Sequence, residues 1–132
     1  MDLTLPQRLQ DYIDSEMHHE ALYRAMAEKA PTEHDRQLLL EIAENERNHA
    51  DEFKGIYQAA VGQSYEPEIV PPDMEAPYQI VLRQMIIYEN AAFQEYHNQF
   101  ITSKDPVLKK TCYQTGKNKS DHINKLIKLM VD

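Results

Sequence analysis

The chain of 132 residues repeats a set of charged and aromatic side chains at a spacing of 73 residues. The four pairs are Glu16 with Glu89, Tyr23 with Tyr96, Glu46 with Lys119, and His49 with His122. Three pairs keep the same residue type, whereas the fourth has Lys119 where a carboxylate is expected. The repeat predicts two structural halves that present equivalent side chains to one common site.

Apolar residues recur in steps of three and four along four segments, a pattern typical of helices that bury one face. The first half carries Leu9, Ile13, Glu16, Glu20, Tyr23, Ala27 and Ala30, then Leu39, Ile42, Glu46, His49, Phe53, Ile56 and Ala60. The second half carries Leu82, Ile86, Glu89, Phe93, Tyr96 and Phe100, then Cys112, Thr115, Lys119, His122, Leu126 and Leu129. With only three glycines, the chain is predicted to be all-α. We expect a single domain, 1–132, with helices at about 6–29, 32–61, 77–103 and 106–130.

Local signals support these boundaries. Thr32 and Asp105 are suitable N-cap residues, and Gly62 is a natural helix stop. Residues 63–76 include three prolines and are predicted to be neither helix nor strand. Fourteen extended residues span about 45 Å, more than the length of a 24-residue helix, about 36 Å. The segment therefore predicts a crossover along a four-helix bundle, so that the third helix starts at the same end as the second.

Composition excludes several classes of protein. A formal charge of −8 argues against nucleic acid or an anionic membrane surface as the main partner. No run approaches 18 apolar residues, so a membrane span is not expected. The single cysteine, Cys112, excludes an internal disulfide and a four-thiolate metal site, and fits a reducing cytosol. We therefore expect a cytoplasmic protein without a membrane or nucleic-acid partner.

Three carboxylates, Glu16, Glu46 and Glu89, interrupt the apolar stripes. Burying unpaired carboxylates costs several kcal/mol each, and converging ones repel, so a divalent cation is the usual counter-charge. Glu46 and His49 are three residues apart, which puts both on one helix face. Oxygen and nitrogen donors together suit iron or manganese, and also zinc. The alternative is a solvated helix face on which this spacing has no function.

The residues from Glu16 to Tyr23 and from 42 to 50 resemble the first hairpin of rubrerythrins, which are ferritin-like di-iron carboxylate proteins. The resemblance covers nearly the whole chain and is best over residues 46–50. It implies a ferritin-like four-helix bundle, iron as the cofactor and oxidoreductase chemistry of peroxidase or ferroxidase type. It also implies an external electron donor and a homodimer.

By this resemblance, Glu16 and Glu89 are expected as terminal metal ligands and Glu46 as a bridging ligand. His49 and His122 are expected as the imidazole ligands. The position of the second bridging carboxylate holds Lys119. Rubrerythrins proper also carry a four-cysteine rubredoxin centre, which a chain with one cysteine cannot build.

Lys119 changes the charge balance of the expected site. Three carboxylates and one ammonium leave two negative charges, which match one divalent ion. The hypothesis is therefore one ion, at Glu16, Glu46 and His49, or none. Alternatively, Lys119 reaches solvent and Glu20 supplies a replacement oxygen. Asp121 is adjacent to His122 but points to a different face.

The same pattern leaves the function open between classes. One interpretation is a metal-binding protein that oxidises bound iron with peroxide or dioxygen. Another is a metal-free structural or interaction bundle in which Lys119 supplies the missing charge. A third is iron storage, which requires a closed cage. The sequence does not decide whether the chain is an enzyme.

The remaining polar and aromatic residues have simpler interpretations. Tyr23 and Tyr96 are either redox-active, hydrogen-bond donors to the ligands, or core aromatics. Four histidines lie off the stripes and are predicted to face solvent: His18, His19, His34 and His97. Cys112 is expected to be a small buried hydrophobic side chain.

Overall fold

The computed structural model describes residues 3–131 and consists of four helices. Met1, Asp2 and Asp132, which belong to the predicted domain 1–132, lie outside the described residues. The helices are α1 (Leu5–Glu28), α2 (Glu33–Val61), α3 (Tyr78–Thr102) and α4 (Pro106–Val131). No strand occurs between residues 3 and 131, so the prediction of an all-α four-helix bundle is confirmed. Over the same range, no helix is both long and apolar enough to cross a membrane.

Side chains at the helix ends account for the boundaries. Thr32 accepts a hydrogen bond from the backbone N–H of Asp35 at 3.1 Å and so caps α2. Gly62 ends α2 with φ of 81°, a left-handed conformation that glycine adopts without a Cβ penalty. Asp105 Oδ1 accepts from two backbone N–H groups in the first turn of α4. These are the three end signals predicted from the sequence.

The crossover between the hairpins runs along the bundle. Near its start, the Tyr65 hydroxyl donates to Asp14, in the first half of α1, at 2.6 Å. Just beyond its end, the Tyr78 hydroxyl at the start of α3 lies 3.5 Å from Asp35, at the start of α2. Helix α3 therefore begins at the same end as α2, as predicted. The fold is two antiparallel hairpins, α1–α2 and α3–α4, joined by this long segment.

The core has two apolar layers with a polar layer between them. One apolar layer contains Tyr23, Met26, Leu39, Ile42, Leu82, Met85, Leu126 and Leu129. The other contains Leu9, Tyr12, Ile13, Phe53, Tyr57, Tyr96, Leu108 and Cys112. The polar layer between them consists of Glu16, Glu46, His49, Glu89, Lys119 and His122. Because apolar side chains cover it above and below, this layer is shielded from water, and its charges must balance locally.

At a few positions of α1 and α2, the buried residues differ from those of the predicted stripes. Ala60, at the end of the predicted α2 stripe, is exposed, whereas Tyr57 one turn earlier is buried. On α1, Tyr12 and Met26 are buried although they lie beside the predicted stripe. Helix α1 contacts both α2 and α3, so its buried face is wider than a single stripe.

Candidate metal centre

All four helices contribute to the polar layer. Glu16 comes from α1, Glu46 and His49 from α2, Glu89 from α3, and Lys119 and His122 from α4. All six residues are at most 2% exposed. The structure thus brings together the five residues predicted as metal ligands and adds Lys119. The spacing of three residues on α2 and on α4 directs each pair to one helix face.

The ammonium group of Lys119 lies at the centre of the layer. Its Nζ is 2.5 Å from Glu46 Oε2, 2.9 Å from Glu16 Oε2 and 3.7 Å from Glu89 Oε2. The side chain is 0% exposed, so the alternative in which Lys119 reaches solvent is wrong. Burial opposes its charge, but the three carboxylates outweigh burial and raise the pKa of Lys119 above its ordinary value.

The three carboxylates respond differently to this environment. Burial favours the neutral acid at each of them, but the Lys119 ammonium and a histidine contact lower the pKa of Glu16 and of Glu89. The pKa of Glu46 is raised, because burial and the negative charge of Glu16 exceed the attraction of Lys119. Glu46, the carboxylate in the middle of the cluster, is therefore the one that most readily takes up a proton.

Each histidine contacts a carboxylate of its own hairpin. His49 Nδ1 lies 2.8 Å from Glu16 Oε1, and His122 Nδ1 lies 3.3 Å from Glu89 Oε2. His122 Nδ1 is also 2.9 Å from Glu46 Oε1, although this ion pair lacks hydrogen-bond alignment. Burial alone would lower the pKa of His122, but the contacts with Glu46 and Glu89 raise it to about 8. His122 is therefore largely cationic at neutral pH.

The second nitrogen of each histidine contacts an asparagine of the opposite hairpin. The Asn118 amide lies 2.9 Å from His49 Nε2, and His122 Nε2 lies 2.8 Å from Asn45 Oδ1. An amide NH₂ can only donate, so His49 Nε2 accepts and its Nδ1 donates to the carboxylate. The sequence analysis missed both asparagines. They are 73 residues apart, so the repeat itself contained the signal.

Each of the two repeated tyrosines donates a hydrogen bond to a carboxylate of the opposite hairpin. The Tyr23 hydroxyl donates to Glu89 Oε1 at 2.8 Å, and the Tyr96 hydroxyl donates to Glu16 Oε2 at 3.2 Å. Burial raises the pKa of both phenols well above the ordinary value, so they stay protonated. Of the three interpretations offered for these tyrosines, the geometry fits donors that orient the carboxylates.

His19 contradicts the expectation that it faces solvent. Only 13% of its side-chain surface is exposed, and its Nδ1 lies 3.9 Å from Glu46 Oε2. Burial and the positive charge of Lys119 lower the pKa of His19, so it is neutral at pH 7. The expectation was wrong because His19 follows Glu16 by three residues and shares its helix face. His18, His34 and His97 are exposed, as expected.

Glu20, the possible replacement oxygen, lies outside the polar layer. Its carboxylate pairs with Arg24 at 2.9 Å and with Arg47 at 3.7 Å. Asp121 is exposed on the outer face of α4. Neither side chain contributes to the buried cluster.

Two sets of donor atoms are spaced to hold a cation. They are Glu16 with Glu46 and His49, and His19 with Glu46 and Glu89, and within each set the donor atoms lie within 4.8 Å of one another. Within residues 3–131, His19 Nδ1 and Glu46 Oε1 are buried without a hydrogen-bond partner. Carboxylate oxygens and imidazole nitrogens with free lone pairs are the donors that a divalent transition metal prefers.

Fold and cluster together define an all-α four-helix bundle with a buried carboxylate–histidine cluster that could hold a metal. The chain is similar in structure to a hypothetical protein from Pyrococcus furiosus, with a TM-score of 0.83 and 19% sequence identity. The match covers 98% of this chain and 89% of that one. At this identity the similarity shows the fold alone. No protein-family model and no curated protein matches the sequence.

Proposed function

We propose that the buried cluster binds one divalent transition-metal ion through Glu16, Glu46 and His49. The observation that carries the proposal is the ammonium of Lys119, fully buried against the same carboxylates. It takes the place of a second cation. The protein is therefore proposed to be a ferritin-like, rubrerythrin-like metal-binding protein with a mononuclear site.

Charge balance supports one ion rather than two. With the three carboxylates ionised, Lys119 protonated and the extra proton of the cationic His122 displaced by the ion, the layer carries two negative charges, which one divalent ion neutralises. Two ions would leave a buried excess of two positive charges, and burying uncompensated charge costs several kcal/mol. Ion binding also requires the proton of His49 to move from Nδ1 to Nε2, where the amide oxygen of Asn118 would accept it, and the extra proton of His122 to leave, so binding is expected to release protons.

The resemblance to rubrerythrins favours iron. Manganese and zinc also bind oxygen and nitrogen ligands and are the alternatives. Bound iron would be oxidised by peroxide or dioxygen, and an external donor would supply the electrons that reduce it again. The contribution of the chain itself is positional. Tyr96 holds Glu16 and Tyr23 holds Glu89, Asn118 fixes the ring of His49, and the apolar layers exclude water.

Metal stoichiometry tests the proposal directly. Protein purified without chelator is expected to contain one iron, manganese or zinc ion per chain. Chelator-treated protein is expected to gain thermal stability when Fe²⁺ or Mn²⁺ is added, because a ligand of the native state stabilises it by mass action. Two tightly bound ions per chain, or none together with an unchanged melting temperature, would contradict the proposal.

Restoring the repeat tests the role of Lys119. Lys119→Glu is expected to raise the metal content from one ion to two per chain, because it supplies a fourth carboxylate and removes the ammonium. Lys117→Glu, on the exposed face of the same helix, adds the same charge outside the layer and is the matched control. If Lys119→Glu leaves the stoichiometry unchanged, Lys119 does not stand in for a metal.

A second candidate function is a metal-free structural or interaction bundle. It is favoured by the cationic character of both Lys119 and His122, which together compensate two of the three carboxylates. The raised pKa of Glu46 lets that group carry a proton and remove the remaining charge. In this case the melting temperature of chelator-treated protein does not respond to Fe²⁺, Mn²⁺ or Zn²⁺.

A further inference from the structure

A cavity of about 440 Å³ lies in the groove between α1 and α3, beside the polar layer. Its lining includes Tyr12, Ser15, His19, Tyr88, Glu95 and Tyr96. His19 also borders two further cavities that the crossover segment helps to line. On the other side, the Nδ1 atom of His19 lies 3.9 Å from Glu46 of the buried cluster. His19 thus lies between open space and the candidate metal centre.

We propose that His19, Glu46 and Glu89 form a second cation position, which shares Glu46 with the first and through which the ion passes between the cavity and the buried centre. The inference rests on the proposed function, since it assumes that the cluster binds a metal. It adds a ligand and a route that the repeat and the resemblance do not contain.

The geometry around His19 fits a ligand better than a hydrogen-bonding histidine. Its Nδ1 is buried and lacks a hydrogen-bond partner within residues 3–131. The distance of 3.9 Å to Glu46 Oε2 is too long for a hydrogen bond. Two donors that each bind an ion at about 2.1 Å lie between about 3 and 4.2 Å apart. The ring of Tyr88 stacks on the imidazole at 5.9 Å and 12°, which holds its orientation.

Only the first half of the repeat carries a histidine at the position of His19. The counterpart of His19 in the second half is Ala92, 73 residues later. His19 therefore adds a nitrogen near Glu89, on the side where Lys119 has replaced a carboxylate. Lys119 is also farther from Glu89, at 3.7 Å, than from Glu16, at 2.9 Å. Glu89 thus keeps more of its capacity to bind a cation.

Sharing of Glu46 makes the two positions alternatives for a single ion. Filling both would again place four positive charges against a layer with two negative ones. The position at His19 borders the cavity, whereas His49 in the other position is 2% exposed. An ion that enters from the cavity therefore meets His19 first and reaches His49 by moving across Glu46.

Loading kinetics with Co²⁺ test the route. Chelator-treated wild type, His19→Gln and His18→Gln are mixed with Co²⁺, and the visible absorption of the bound ion is followed by stopped flow. His19→Gln is expected to load at least about tenfold more slowly, which corresponds to about 1.4 kcal/mol in the barrier, with one ion still bound at equilibrium. His18→Gln, the exposed neighbour, is expected to load like wild type.

Rescue distinguishes a lost ligand from a disturbed fold. His19→Ala with free imidazole in the buffer is expected to regain the wild-type loading rate, because the cavity volume admits the ring. If wild type binds Co²⁺ at one per chain and His19→Gln loads equally fast, the second position is refuted and the proposed function stands. Slow loading of His19→Ala that imidazole does not accelerate also refutes it. If wild type binds no Co²⁺, Fe²⁺ or Mn²⁺, both proposals fail.

Discussion

The two hairpins share one layout but differ in the charge that they bring to the polar layer. Equivalent contacts connect them in both directions: Tyr23 with Glu89 and Tyr96 with Glu16, and Asn118 with His49 and Asn45 with His122. Two positions break the equivalence. The α1–α2 hairpin has Glu46 and His19, where the α3–α4 hairpin has Lys119 and Ala92. The two hairpins thus make equivalent hydrogen-bond contacts but contribute different charges to the polar layer.

This difference shows how a buried charged layer tolerates the replacement of a carboxylate. Exchanging Glu for Lys at position 119 changes the layer by two charge units at one point. The new ammonium contacts the carboxylate at the equivalent position of the other hairpin, Glu46, so the two repeat partners form an ion pair. The tyrosine and asparagine contacts on both sides of this pair are present in both hairpins.

The largest effect is expected when the ammonium is removed. Lys119→Met keeps the length and apolar stem of the side chain but leaves three buried carboxylates without their main counter-charge. The free energy of unfolding of chelator-treated protein at pH 7 is expected to fall by about 3–5 kcal/mol, the cost of breaking a buried ion pair. Urea unfolding measures it, and Lys117→Met, exposed on the same helix, should change the value by less than about 0.5 kcal/mol.

The pH dependence gives a second readout of the same variant. In wild type the pKa values of Glu16 and Glu89 are lowered, so their contribution is present above the unfolded value of about 4.5 and is lost as the pH falls below it. Without Lys119, protonation of Glu16 and Glu89 removes buried negative charge that has lost its counter-charge. The free energy of unfolding of the variant should therefore rise as the pH falls from 7 toward 4.5. The difference in the free energy of unfolding between wild type and Lys119→Met should therefore become smaller over that range. A gap that stays constant would show that Lys119 stabilises the fold through packing alone.

Much of this arrangement could be predicted because helical periodicity and the repeat are properties of the sequence. All six residues of the predicted α4 stripe are buried. The direction of Lys119 could not be predicted, because its long side chain can reach solvent or the core, and only the position of three carboxylates decides between them. His19 was missed because a single stripe represents one interface, whereas α1 lies against two other helices. The role of the predicted ligands in metal binding stays a prediction.

A smaller effect is expected from His122, the cationic histidine of the α3–α4 hairpin. Its pKa is about 8 in the folded protein, above the ordinary value of 6.5. Its contribution to stability is therefore fully present below pH 6.5 and is lost as the pH rises through 8. The loss should amount to about 2 kcal/mol, from about 1.4 kcal/mol per pKa unit. Urea unfolding of chelator-treated protein between pH 6 and 9 measures it.

The control for this titration is a histidine outside the layer. His122→Gln should remove most of the pH dependence between 6.5 and 8.5, whereas exposed His97→Gln should retain it. Cys112, whose pKa burial raises to about 12, contributes only above pH 9 and does not interfere. A wild-type stability that is flat or rises between pH 6.5 and 8.5 would contradict the assignment of a positive charge to His122.

The smallest effects are expected at the two asparagines. They distinguish the charge of the histidine in one hairpin from that in the other. Asn45 accepts from the cationic ring of His122, whereas Asn118 donates to the acceptor nitrogen of His49. Both are half-buried, so water replaces part of each lost bond, and alanine at either position should cost about 1 kcal/mol. Hydrogen bonds from charged donors are stronger than neutral ones. The cost of Asn45→Ala should therefore be larger at pH 6 than at pH 9, whereas that of Asn118→Ala should not follow the titration of His122. Unfolding curves of both variants at the two pH values measure the difference, and equal behaviour would mean that the two histidines carry the same charge.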